Sequence, residues 1–185
     1  MRPDLLVRLL PFAAAYAVVV ALWHPAWAGF AWGRVGAQLA FGVGSAPVMA
    51  GVAGLIQLRI SRGRGWVALP TGPDALLQGA YFMLNAPLEE AFFRGLLQGG
   101  LGALTGAAWL GFGVATGAYV LYHRLGAWDW TQVAATALAG VPLGLAFWLL
   151  PGPASLLGVS ISHAAATCGF LGPGAYLLRR LRLVT

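Results

Sequence analysis

Asn85-Ala86-Pro87-Leu88-Glu89-Glu90-Ala91-Phe92-Phe93-Arg94-Gly95 sets two adjacent carboxylates and a guanidinium inside an otherwise apolar stretch, 74–99. They are the two glutamates of the whole chain. A stretch of this length meets the roughly 20 residues that a helix needs to cross a hydrocarbon core about 30 Å thick. An ionised carboxylate at that depth costs several kcal/mol unless it is paired or hydrated, so charge within a span marks a functional site by default. Read this way, the segment is a helix carrying buried charge through lipid.

Composition outside this segment agrees. Of 185 residues, 59% are hydrophobic and 9% charged, against about a quarter charged in a soluble domain. That leaves too little polar surface to cover a globule in water, so the solvent is lipid. Five further apolar stretches, 5–24, 36–59, 104–125, 131–150 and 154–178, have similar length. An open sheet cannot satisfy its backbone in lipid, and no alternating pattern suggests a barrel. The expectation is an all-α membrane protein, a polytopic bundle of about six transmembrane helices. Gly63, Gly65, Pro70, Gly72 and Pro73 precede the third stretch and Pro151-Gly152-Pro153 the sixth, while Pro47, Pro87 and Pro142 fall inside spans and should kink them.

Trp23, Trp27, Trp32, Trp66, Trp128 and Trp130 lie at expected span ends, where an indole is favoured as an interfacial anchor. His24 sits in the same kind of position. All eleven cationic residues are Arg. With a cytoplasmic N-terminus and an even number of spans, Arg2, Arg8, Arg59, Arg62, Arg64, Arg124, Arg179, Arg180 and Arg182 fall inside and Arg34 outside. The +6 charge is therefore a topology signal, not a nucleic-acid footprint. The expected location is an integral position in a membrane, the cytoplasmic membrane of a prokaryote, with both termini cytoplasmic. Arg2, Arg8 and the Ala26-Trp27-Ala28 triplet resemble a cleavable signal, but the apolar run is long for one, and a retained first helix is expected. Cys168 is the single cysteine, which rules out an internal disulfide.

Glu90 and Arg94, at i and i+4, lie one turn apart and can neutralise each other, the reading of an orienting ion pair. Glu89 points about 100° away and lacks that partner, which poises it as a general base. His123 and His163 lie in two other spans, and Thr167 follows His163 by one turn. Singly, each histidine reads as a hydrogen-bonded packing residue. Together, two histidines and two glutamates on three helices read as convergent. Counting residues sets His123 about 10 Å deeper toward the opposite face than its partners, unless the fourth span is tilted or starts later. Two histidines and a carboxylate can hold zinc, but no HExxH helix is present, and neither is a GxSxG elbow for a serine nucleophile. Activation of water by Glu89 and His123, with no metal and no cofactor, is the more economical scheme.

These residues, in this order, resemble the CAAX protease and bacteriocin-processing (CPBP, or Abi) family, which includes the CAAX prenyl endopeptidases. Its pattern is EExxxR, then FxxxH, then HxxxN, on three membrane helices. The chain gives Glu89-Glu90…Arg94-Gly95, Tyr119…His123 and His163…Thr167, with 29 residues from Arg94 to His123 and 40 from His123 to His163. The resemblance covers about 74–175. It implies two N-terminal transmembrane helices and a basic loop over 1–73 and a four-helix catalytic core over 74–185, in one compact domain. It further implies an intramembrane glutamate-type endopeptidase in which Glu89 and His123 activate water, His163 and Thr167 stabilise the oxyanion, and Glu90, Arg94 and Asn85 support the site. The partners implied are a membrane-associated protein or peptide substrate and the lipid bilayer, with no nucleic acid. Tyr119 stands where the pattern has Phe, and Thr167 where it has Asn; Asn85 offers an amide in compensation. A non-catalytic immunity or scaffold protein on the same fold, or a small proton-linked carrier, is the alternative reading.

Overall fold

The computed structural model describes residues 7, 9–64, 70–126 and 128–184, with Gly63 and Arg64 described in their backbone alone. Arg2, Arg8, Gly65, Trp66 and the Arg64 side chain, used above, lie outside the described residues. The elements are α1 (Leu10–Trp23), a 3-10 turn (Ala26–Ala28), α2 (Val35–Arg64), α3 (Gly72–Glu90), a π-helical segment (Ala91–Gly99), α4 (Gly100–Thr105) and α5 (Ala108–Tyr122). A 3-10 turn (His123–Gly126), α6 (Trp130–Ala135), α7 (Ala137–Leu149), α8 (Leu157–Phe170) and α9 (Pro173–Arg180) complete them. The described residues form no strand beyond an isolated bridge between Phe30 and Ser155.

Two of the helix starts are written locally. The Thr71 hydroxyl accepts from the Asp74 N–H at 3.4 Å while the Asp74 carboxylate accepts from the Thr71 N–H at 3.4 Å, a reciprocal cap with Pro73 in the first turn. Asp129 caps α6 in the same way, through the N–H groups of Thr131 (2.8 Å) and Gln132 (3.1 Å). Asp74 and Asp129 are thus spent at helix N-termini, where negative charge is favoured. Among the described residues, Glu89 and Glu90 are the carboxylates buried in the interior.

Polarity is inverted relative to a protein in water. Val18, Leu22, Val43, Val48, Leu55, Leu84, Leu138 and Leu149 face outward, while Gln38, Gln57, Asn85, Glu89, Glu90, Arg94 and Gln98 are buried. Val35–Arg62 and Trp130–Leu149 are long and apolar enough to cross a membrane. The fold is the helical membrane bundle expected from composition.

Several boundaries differ from the sequence reading. The third helical run does not stop at 99 but continues through the π segment to Thr105. Gly106, at φ +68°, ends it, so α5 begins at Ala108 rather than 104. That later start, about 6 Å at 1.5 Å per residue, removes much of the depth mismatch expected for His123. The sixth stretch is not one helix: Gly172, at φ +50°, separates α8 from α9. Trp23, Trp32 and Trp130 are exposed as anchors should be. Trp27 and Trp128 instead pack inward, Trp27 over Gly100 and Trp128 against His123 and Phe170 at ring separations of 5.1 and 5.2 Å.

The most extensive helix pair is α2 with α8. They run in the same direction and touch backbone to backbone, as small residues permit in a membrane. Gln38 of α2 caps α8 by accepting from the Gly158 N–H at 3.1 Å, and Ser45 and Ser162 bond at 2.8 Å. A Cβ on Gly169 would stand 2.2 Å from the Ala50 carbonyl oxygen, a backbone atom that cannot swing away. Gly169→Val is therefore expected to lower stability by about 3 kcal/mol, read as earlier unfolding in a detergent denaturation series. An unshifted midpoint refutes the packing.

Candidate active site

On α3 and the π segment that prolongs it, residues four apart build two parallel rows. In one, the Asn85 amide donates to Glu89 Oε1 at 2.9 Å. In the other, Arg94 Nε donates to Glu90 Oε2 at 3.2 Å, with both side chains fully buried. The Glu90–Arg94 pair follows from spacing, but its setting does not. Arg94 also donates to Thr116 Oγ1 of α5 (3.3 Å) and to the Gly140 carbonyl of α7 (3.0 Å), and its guanidinium lies 5.1 Å from the centroid of the Tyr119 ring. One turn on, Gln98 donates to the Gly144 carbonyl at 2.8 Å. The side chains of Arg94 and Gln98 thus meet carbonyls four residues apart on α7. A π segment at this point, where functional side chains crowd, is a recurrent association.

His163 joins the two rows from α8. Its Nδ1 lies 2.7 Å from Glu90 Oε1, and an ionised carboxylate only accepts, so Nδ1 carries the hydrogen. Its Nε2 lies 3.2 Å from the Tyr119 hydroxyl and 3.7 Å from Glu89 Oε2. Glu89 and His163 are 2% and 3% exposed, so this juxtaposition is held away from bulk solvent. The Glu90 carboxylate is the one bonded to Arg94 Nε. Glu89 takes neutral donors, Asn85 and the Tyr122 hydroxyl, the latter at 2.5 Å, both on Oε1. Asn85 is accordingly turned onto Glu89 rather than offered to a substrate oxygen.

His123 opens the 3-10 turn after α5. Its Nδ1 donates to the Tyr119 carbonyl at 2.7 Å, and its ring packs against those of Tyr119 and Tyr122 at 4.8 and 4.6 Å. Glu89, His123, His163 and Thr167 all line one cavity of about 690 Å³, together with Asn85, Tyr119, Tyr122 and Gln132. The remainder of its wall is largely apolar, from α1, α2, α7 and α8. The structure therefore brings all four residues to one space. Glu90 and Arg94 stand behind it as the buried support of His163.

Tyr119 and Tyr122 carry hydroxyls into this network, and the sequence reading assigned them no role. Their signal was present: Tyr119, Tyr122 and His123, at i, i+3 and i+4, share one helix face. Gln98 was likewise legible as the next member of the Glu90, Arg94 row.

A helical membrane bundle whose interior holds two carboxylates, a guanidinium and two histidines around one cavity is built as a membrane protein with a buried polar site. The model of the type II CAAX prenyl endopeptidase Rce1-like family matches residues 70–168. That is more than half of the chain, and the chain belongs to this family, a class of CAAX-type protease. The matched segment begins just ahead of α3 and includes every residue of the site described above. No curated protein and no solved structure matches the chain.

Proposed function

We propose that this protein is an intramembrane endopeptidase that hydrolyses a peptide bond of a membrane-associated protein or peptide with water activated by Glu89 and His123. The observation that carries the reading is the facing of Glu89 Oε2 and His163 Nε2, 3.7 Å apart, on the wall of a cavity that His123 also lines. Water gives a proton to Glu89 while its oxygen attacks the substrate carbonyl. Asn85 and Tyr122, on the other carboxylate oxygen, hold the base in place. His123, oriented by the Tyr119 carbonyl, hydrogen-bonds the water. His163, with Thr167 one turn on, faces the developing oxyanion, and Glu90–Arg94 fixes the imidazole. As the tetrahedral intermediate collapses, the C–N bond breaks and the proton held by the Glu89–His163 pair passes to the leaving nitrogen. Expelling bulk water from such a pocket strengthens each of these interactions.

The scheme uses neither metal nor cofactor. It is supported by the commitment of His163 Nδ1 to Glu90 and of His123 Nδ1 to the Tyr119 carbonyl, and zinc is the competing reading to be tested. Both termini are proposed to be cytoplasmic. In support, Arg59 and Arg62 end α2, Arg124 follows α5, and Arg179, Arg180 and Arg182 lie in or just beyond α9, which packs on α2 and α3. Arg34 lies at the other end, against Gly152.

The test is cleavage of a fluorescence-quenched farnesylated peptide ending in a CAAX sequence, by detergent-solubilised protein and by protein in vesicles. Cleavage is expected to persist in chelator and to fall on the order of 10²-fold or more in His123→Ala. Loss of cleavage in chelator with recovery on adding zinc overturns the metal-free scheme. Absence of product from the unaltered protein in both settings overturns the protease reading on this substrate class.

A further inference from the structure

Resting on that reading, we propose that Tyr119 is itself a catalytic residue, whose hydroxyl donates the hydrogen bond that stabilises the substrate's carbonyl oxygen as it becomes an oxyanion. Three observations lead there. The hydroxyl lies 3.2 Å from His163 Nε2, on the wall of the cavity that holds Glu89, so it borders the position of the reacting carbonyl.

The ring, moreover, is fixed on several sides. The Arg94 guanidinium sits 5.1 Å from its centroid and the Phe93 ring meets it edge-on at 5.4 Å. On the α7 side, a Cβ on Gly140 would come within 2.8 Å of it. A donor fixed before the reaction begins stabilises developing charge without reorganisation.

The third observation is a hydrogen count. In its neutral form, with Nδ1–H committed to Glu90, the His163 imidazole presents a lone pair at Nε2 and cannot donate to an oxyanion. In that form the Tyr119 O–H is the donor of their 3.2 Å contact. When Glu89 takes the proton of the attacking water, Oε2 faces Nε2 at 3.7 Å and can pass that proton on. The imidazolium then donates Nε2–H to the Tyr119 oxygen, and the phenolic hydrogen turns to the substrate oxygen. One proton leaves water, crosses from Glu89 to His163, and returns to the leaving nitrogen as the C–N bond breaks. No other reactant is needed.

Tyr119→Phe keeps the ring and removes the hydroxyl. With the quenched farnesylated peptide, kcat is expected to fall on the order of 10²-fold, the cost of one oxyanion donor, with KM unchanged. Adding Thr167→Asn to Tyr119→Phe places an amide one turn from His163 and is expected to recover at least about tenfold. The contact is also read without substrate: in protein labelled with ¹⁵N at its imidazoles, Tyr119→Phe is expected to shift the His163 Nε2 resonance. A kcat within about threefold of the parent protein, or an unshifted Nε2 resonance, overturns the proposal. Glu89→Gln separates the two levels: cleavage that survives it overturns the protease scheme, whereas an inactive Glu89→Gln beside a fully active Tyr119→Phe overturns the role of Tyr119 alone.

Discussion

Glu89→Gln is expected to leave the protein folded and to lower cleavage on the order of 10³-fold, the middle of the range for loss of a general base. The side chain keeps its shape, and its remaining carbonyl oxygen can still accept from Asn85 and Tyr122, the two donors now on Oε1. What it loses is the capacity to take a proton from water and to hold it opposite His163. Detergent unfolding midpoints should therefore stay close to those of the parent while product formation collapses. A variant that unfolds early would mean that the Glu89 charge supports the fold instead. One that still cuts would remove Glu89 from the mechanism.

Arg94→Ala is expected to do the reverse, acting through stability before chemistry. Removing one member of a buried ion pair strands the other, at a cost of about 3–5 kcal/mol. Here Glu90 and Arg94 are both fully buried, and the guanidinium also bonds Thr116 of α5 and the Gly140 carbonyl of α7. Its loss removes one of the two side-chain ties from the π segment to α7, leaving that of Gln98, and leaves a carboxylate facing His163 with no guanidinium to balance it. Reduced yield and a much lower unfolding midpoint in detergent are the readouts. Arg94→Lys keeps the charge but gives up the planar fork that reaches several acceptors at once, so it should fall between. An Arg94→Ala protein as stable as the parent would show that the Glu90–Arg94 pair does not hold the fold.

These two expectations divide the adjacent glutamates. The i, i+4 spacing ties Glu90 to Arg94 and leaves Glu89 out, and this was readable in the sequence because it depends on one helix alone. So were the lipid solvent, from the scarcity of charge, and the helical class, from backbone satisfaction in an apolar medium. The candidate residues were also readable, because charged and imidazole groups are few in this chain.

What faces what was not readable. That Glu90 bonds His163, that the Tyr122 hydroxyl bonds Glu89, and that Tyr119 touches both histidines depend on how α3, α5 and α8 are placed side by side. Sequence spacing says nothing about distances across helices. Where α5 starts is set by the positive-φ backbone at Gly106, and the break between α8 and α9 by that at Gly172. Hydropathy runs straight through both positions, since glycine is compatible with a span as well as with its end. The chain by itself determined a lipid-embedded helical bundle and the few groups able to do chemistry in it. The tertiary structure decided which oxygen faces which nitrogen, because the glycine-lined contacts of α2 with α8 and the reach of Arg94 to α7 fix the helices' relative height and rotation.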